Sequence, residues 1–286
     1  MKKIPLRSGL FFTLRHLILL FLALFWLIPI IWLVCNSFSI EPGIQISRFF
    51  PEALTLRNYR LLLFSSEDTI ARFPVWFKNT LVIAIFSCAI SSMFVLMVSY
   101  AMSRMRFKGR KLLMNIGVLL GLFPGFLSMI AVYFILKSLG LTNSQTGLVM
   151  IYSGSSGLGY LIAKGFFDTI SETLSESARL EGATESQIFW KIIIPLSKPI
   201  IVYTIISAFL APWMDFVFAR IILNSGISTD WTVSIGLYNM LDRVLIVNYF
   251  ARFCAGGVLV SIPISILFVI MQRFYVEGIT GGSVKG

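Results

Sequence analysis

Five charged side chains, Glu176, Arg179, Glu181, Glu185 and Lys191, crowd into one short segment of a chain whose other long stretches are mostly hydrocarbon. Each charge at bilayer depth costs several kcal/mol, so this segment lies outside the membrane. Ala178, Leu180, Ala183, Ile188, Phe189 and Ile192 nevertheless give it apolar surface to bury. Such a mixture suits docking better than bond chemistry. Other reactive constellations are missing from the sequence. His16 is the single histidine and stands where the first apolar run begins, without a ligand cluster for zinc or haem. Cys35, Cys88 and Cys254 have no metal-ligand spacing, and their odd number without a framework argues against structural disulfides. An enzyme working in the membrane would need ionisable groups converging between its spans, yet Asp215 is nearly alone there. No G-x-x-x-x-G-K-[ST] phosphate loop is present, so the chain cannot itself hydrolyse a nucleotide by that device.

The elements that position the segment follow from composition. Of 286 residues, 57% are hydrophobic and 13% charged, and the mean hydropathy is +0.87. A soluble chain carries about 25% charged residues, so this one belongs in a membrane. The excess of 24 Lys and Arg over 13 Asp and Glu reads as cytoplasmic loops facing phospholipid, not as a nucleic-acid surface. About 20 apolar residues cross the hydrocarbon core. Six stretches qualify: 17–38, 79–103, 113–137, 145–167, 199–223 and 249–272. Residues Ser153 to Gly157 interrupt the fourth. The first is too long for a signal h-region and has no A-x-A site after it, so it reads as an uncleaved span. No repeat or linker divides residues 1–286, which makes one all-α transmembrane domain, a six-helix bundle. The basic cluster Arg104, Arg106, Lys108, Arg110 and Lys111 marks the inner side. Both termini and the loop 171–198 are then cytoplasmic. Trp76, Trp231, Tyr238 and Tyr249 fall near outer ends, where they read as interfacial anchors.

Within that loop, Thr173-Leu-Ser-Glu176 and Thr184-Glu-Ser-Gln187 each have capping-box spacing. Gly182 is a left-handed helix stop and Pro195 a terminator, so the spacing predicts helix, bend, helix. Leu174, Ala178 and Gly182 share one face, small enough for another protein to approach its backbone. Lying flat on lipid is the competing reading, and the acidic bias of the segment opposes it beneath an anionic leaflet.

Glu176-Ser177-Ala178, Gly182 four residues on, and Ile192-Ile-Ile194-Pro195 resemble the EAA loop of ABC importer permeases, with every spacing matched. Ser177 and Ile194 are the two departures from that motif. Asn79-Thr80-Leu81 and Tyr100-Ala-Met-Ser-Arg104 with Phe107-Lys-Gly109-Arg110 are similar to the carbohydrate branch. The tail Gly281, Gly282, Val284, Lys285 and Gly286 resembles the end of the maltose-type permease that inserts into its ATPase partner. The resemblance runs from about residue 70 to the end. It implies a multi-pass subunit of the bacterial cytoplasmic membrane, carrying sugars such as maltodextrins. Implied partners are a second permease subunit in a heterodimer, two cytoplasmic ATPases and an extracytoplasmic solute-binding protein. ATP and Mg would be used by the ATPases, and this chain would hold no cofactor or metal. Glu176, Ser177, Ala178, Gly182, Ala183, Ile192 and Pro195 would couple to the ATPase. Carriage of another small polar solute is the alternative, and a membrane enzyme or a self-sufficient channel a more distant one. Asp215 lies about 24 Å along its span from the inner end, near the outer hydrocarbon edge. With Trp213 it is a candidate for the external mouth or outer gate of the pathway, and a snorkelling or salt-bridged pair with Arg220 at a helix end is the equal alternative.

Overall fold

The computed structural model describes residues 6–41, 43–44, 48–65, 71–122, 125–154 and 159–283. The chain runs through α1 (Leu6–Ser37), α2 (Arg57–Phe64), α3 (Phe73–Arg104), α4 (Arg110–Leu122), α5 (Gly125–Ser138), α6 (Gln145–Gly154) and α7 (Gly159–Asp168). It continues through α8 (Glu172–Leu180), α9 (Glu185–Ile188), a π turn at Phe189–Ile193, α10 (Ile194–Leu196) and α11 (Lys198–Met214). Last come α12 (Val217–Ile222), a 3-10 turn at Ser228–Asp230, α13 (Val233–Asn239) and α14 (Ile246–Ser283). Among the described residues there is no strand, only a lone bridge between Ser39 and Leu54. The all-helical expectation therefore holds.

Phe12–Ser37, Phe73–Arg104 and Ile246–Gln272 are each long and apolar enough to cross a membrane. Counting α4 with α5, and Glu185–Leu196 with α11, as bent single spans raises the number from 3 to 5. The stretch 145–167 consists of α6 and α7 on either side of residues 155–158, which lie outside the described residues.

The chain forms two compact units, residues 1–71 with 237–261 and residues 72–236 with 262–286. In the first, every side chain of α1 from Phe12 to Ile31 is exposed. The C-terminal end of α1 is seated differently. Trp32 lies 5.9 Å from the Phe250 ring, and Leu33 packs against Gly257. Asn58 donates to the carbonyls of Ser37 (3.1 Å) and Ser39 (2.7 Å), and the hydroxyls of Ser37 and Tyr59 meet at 2.7 Å. These bonds suspend the short helix α2 from the end of α1.

The second unit is built around α3. Ser87, Ser91, Ser92, Ser99 and Ser103 lie buried on its inner side, together with Ile83, Val95 and Tyr100. Small hydroxyl residues let neighbouring helices approach closely. On its other side Phe86, Ile90, Phe94 and Met97 are exposed apolar groups. At the N-terminal end, Trp76 donates to the Ser228 carbonyl at 2.7 Å, and Asn79 donates to those of Thr229 and Trp231. Thr80 accepts from the Val233 amide at 2.8 Å. Gly236 lies so close to Trp76 that an added Cβ would overlap the indole. The other end of α3 shares a core with Phe167, Ile188 and Ile193.

The stretch 199–223 is not one continuous helix. It divides at Asp215 and Phe216 into α11 and α12. Pro212 removes one backbone donor from the last turn of α11, and the Asp215 carboxylate supplies acceptors for a new helix start.

Candidate functional site

The charged loop is a helix, a sharp bend and a second helix. Ser171 caps α8, its Oγ accepting from the Thr173 amide at 3.3 Å. A cap at Thr173 itself, as the spacing suggests, does not form, because the helix begins one residue earlier and Thr173 falls inside its first turn. Gly182 has a φ of +84°. The Ala183 amide bonds to the Ala178 carbonyl (2.9 Å) and the Gly182 amide to that of Arg179 (3.0 Å). This pair of bonds is a Schellman ending, which satisfies carbonyls that the helix leaves open. Thr184 then forms a complete capping box: its Oγ1 accepts from the Gln187 amide, and Gln187 Oε1 accepts from the Thr184 amide.

Pro195 does not end the second helix. It sits inside α10, preceded by the π turn, and the chain bends by 87° between Glu185–Leu196 and α11. A proline has no N–H to donate, and a wider turn beside it accommodates the missing rung of the ladder. The break itself falls at Ser197, where the Oγ is buried and has no partner among the described residues.

Glu185 holds the two halves of the loop together. Its Oε1 accepts from Arg179 Nε at 2.7 Å, and its Oε2 accepts from the Tyr100 hydroxyl at 2.6 Å. The hydrogen bond from Arg179 keeps the Glu185 carboxyl below the ordinary carboxylate range, and it raises the Arg179 guanidinium in turn. One helical turn further along α3, Ser103 Oγ donates to Asp168 Oδ1 at 2.6 Å. Arg104 is only 8% exposed, and its Nη2 donates to the carbonyls of Phe167 (2.6 Å) and Ile170 (2.5 Å). Tyr100 and Arg104 thus fasten the loop to α3, a role that their place in the motif does not by itself disclose. An arginine closing a long apolar helix, with tyrosine at i−4 on the same face, is the signal that points inward.

A cavity of about 460 Å³ opens between α3 and α8, lined by Arg104, Arg106, Glu176, Arg179 and Glu185 among others. Glu176 is exposed at its edge. Ala178 and Ala183 are half-buried against the core around Tyr100, Phe167 and Ile188. The face expected to receive another protein is therefore partly taken up by the chain's own core. The uncovered ridge carries Ser177 and Leu180 instead, with Leu180 90% exposed. Around Gly182 there is open space, so its glycine requirement is one of backbone conformation. Ile192 is half-buried and Pro195 exposed.

Asp215 accepts from the Tyr152 hydroxyl at 2.6 Å and from the amides of Phe218 (3.2 Å) and Ala219 (3.0 Å). Its carbonyl accepts from Ser234 Oγ at 2.7 Å. Trp213 is buried beside Phe77 and Phe209, with ring centroids 5.1 and 6.0 Å away. Arg220 places its guanidinium 6.0 Å from the Trp231 ring. Gly281 and Gly282 continue the backbone of α14, while Val284, Lys285 and Gly286 lie outside the described residues. Among the described residues no three His, Cys, Asp or Glu side chains converge as a metal site.

A family model described as "Binding-protein-dependent transport system inner membrane component" matches residues 96–280. The galactooligosaccharides transport system permease protein GanQ of Bacillus subtilis is 34% identical over 95% of this chain and 94% of its own. The maltose/maltodextrin transport system permease protein MalG of Escherichia coli is 31% identical over 98% of this chain and 97% of its own. The maltodextrin transport system permease protein MalD of Streptococcus pneumoniae is 28% identical, with 99% of both chains covered. A crystal structure of a bacterial ABC transporter involved in the import of the acidic polysaccharide alginate contains a chain of similar fold. Its TM-score is 0.79 at 22% identity, over 96% of this chain and 100% of that one.

Proposed function

This chain belongs to the family of binding-protein-dependent transport system inner membrane components, and from that premise we infer that it is the permease half of an ATP-driven importer of oligosaccharides. Maltodextrin-like sugars are the leading cargo class, since permeases of maltodextrin systems match it nearly end to end. The observation that carries the coupling role is the bent, doubly capped loop with Leu180 uncovered, in a chain built of apolar helices.

The loop 171–198 is the surface grasped by cytoplasmic ATPases, two per transporter. A second permease subunit of different sequence completes the pathway, and a solute-binding protein outside delivers the sugar. Six spans with both ends inside keep the loop and the tail on the ATPase side. ATP and Mg are consumed on the partners. Glu176, Ser177, Ala178, Gly182, Ala183, Ile192 and Pro195 form the loop and its helical stem, and the Gly281–Gly286 tail makes a second contact with the ATPase. Trp213 and Asp215 belong to the outer end of the pathway. There Asp215 acts by capping α12 and holding Tyr152, and Trp213 by packing.

Reconstitution of this chain with its partner permease, ATPase and binding protein in liposomes tests the reading. ATP-dependent uptake of maltodextrin or galactooligosaccharide is expected, and Leu180→Asp should abolish ATPase retention during purification. Uptake by this chain alone, or firm ATPase retention by Leu180→Asp, would contradict it.

A further inference from the structure

The bent loop is attached to the membrane-crossing helices at two places of very different character. At α3 the attachment is directional and doubled. The Tyr100 hydroxyl and Arg179 Nε share the Glu185 carboxylate, which ties α3, α8 and α9 together through one side chain. One turn further on, the buried Arg104 holds the carbonyls of Phe167 and Ile170, where the chain leaves α7 to enter the loop. Ser103 holds Asp168 beside them. The loop's entry from α7 and its bend are thus fastened to a single stretch of α3. At α11, the helix that follows the loop in sequence, the backbone turns by 87° at Ser197. The Ser197 hydroxyl is buried without a partner among the described residues, and no side chain caps the start of α11. Apolar contacts at that end, such as those of Ile193 and Ile200 in the core they share with Val95 and Leu96 of α3, are non-directional.

We propose that α3, and not α11, carries the movement of the loop into the membrane, and that Tyr100 and Arg104 are positioning residues for this coupling. The proposal rests on the importer reading above. Hydrogen bonds to ionised groups resist reorientation more than neutral ones do, so the loop and α3 turn as one body. Ser197 acts as the joint that lets α11 take a different angle.

Spin-label distances in the reconstituted full complex test this, with and without trapped ATP. One pair joins Met105 at the end of α3 to Ser186 on α9, and a second joins Ser186 to Ser207 on α11. The Met105–Ser186 distance should keep its value while Ser186–Ser207 shifts. Tyr100→Phe removes only a hydroxyl. It should broaden the first distribution and lower sugar moved per ATP by about tenfold, the factor expected for one lost hydrogen bond to a charged group, with subunit assembly retained. A Met105–Ser186 distance that shifts as far as Ser186–Ser207 in the otherwise unaltered chain would overturn the proposal. So would an unchanged yield of sugar per ATP in Tyr100→Phe. Absence of any ATP-driven uptake by the unlabelled complex would instead overturn the importer reading itself.

Discussion

Gly182 sits in the left-handed region with open space around the position of a Cβ. A side chain there meets no wall, so the cost of replacing glycine is the backbone term alone, about 1–2 kcal/mol for most L-residues. Asparagine tolerates this conformation best among them. Gly182→Asn should therefore retain most ATP-coupled uptake, while Gly182→Val, β-branched and poorly suited to positive φ, should lose most of it. Equal damage from both, measured as uptake at matched complex yield, would mean that a partner packs against this position. Glu185 teaches the complementary lesson. Local chemistry marks it as a first-turn acid of α9, and only the folded chain reveals that it joins Arg179 to Tyr100.

Helix starts and stops were legible to different degrees, for reasons visible in single elements. The stop at Gly182 and the capping box at Thr184 depend on neighbours three or four residues away, so sequence spacing reveals them. The first cap is misplaced by that reading: the spacing points to Thr173, whereas Ser171, two residues earlier, caps α8. The π turn before Pro195 and the break at Asp215 each have a proline nearby, but a proline alone does not say whether a helix ends, widens or restarts. Asp215 in particular takes its partners from Tyr152 and Ser234, which packing brings to it. Asn79 and Thr80, recognisable only as motif residues, turn out to hold the segment from Thr229 to Val233. Trp76 completes that seam against Gly236. Gly236→Ala should overpack it and destabilise the solubilised complex by about 1–3 kcal/mol. A thermal-unfolding midpoint equal to that of the unaltered protein would refute the close fit.

At the scale of the molecule, the apolar character that assigns this chain to a membrane is unevenly covered by its own fold. Trp26 on α1 is 74% exposed, whereas Trp32, about two turns along, rests on Phe250. In single-tryptophan variants reconstituted with brominated lipid, Trp26 should be quenched much more strongly than Trp32. Equal quenching would show that the seat on Phe250 is absent in the bilayer. A different consequence follows for α11, whose 17 residues end in the Ser197 corner on one side and the Asp215 interruption on the other. Breaks at both extremities leave it a short rod, free to tilt without bending the helices that precede and follow it.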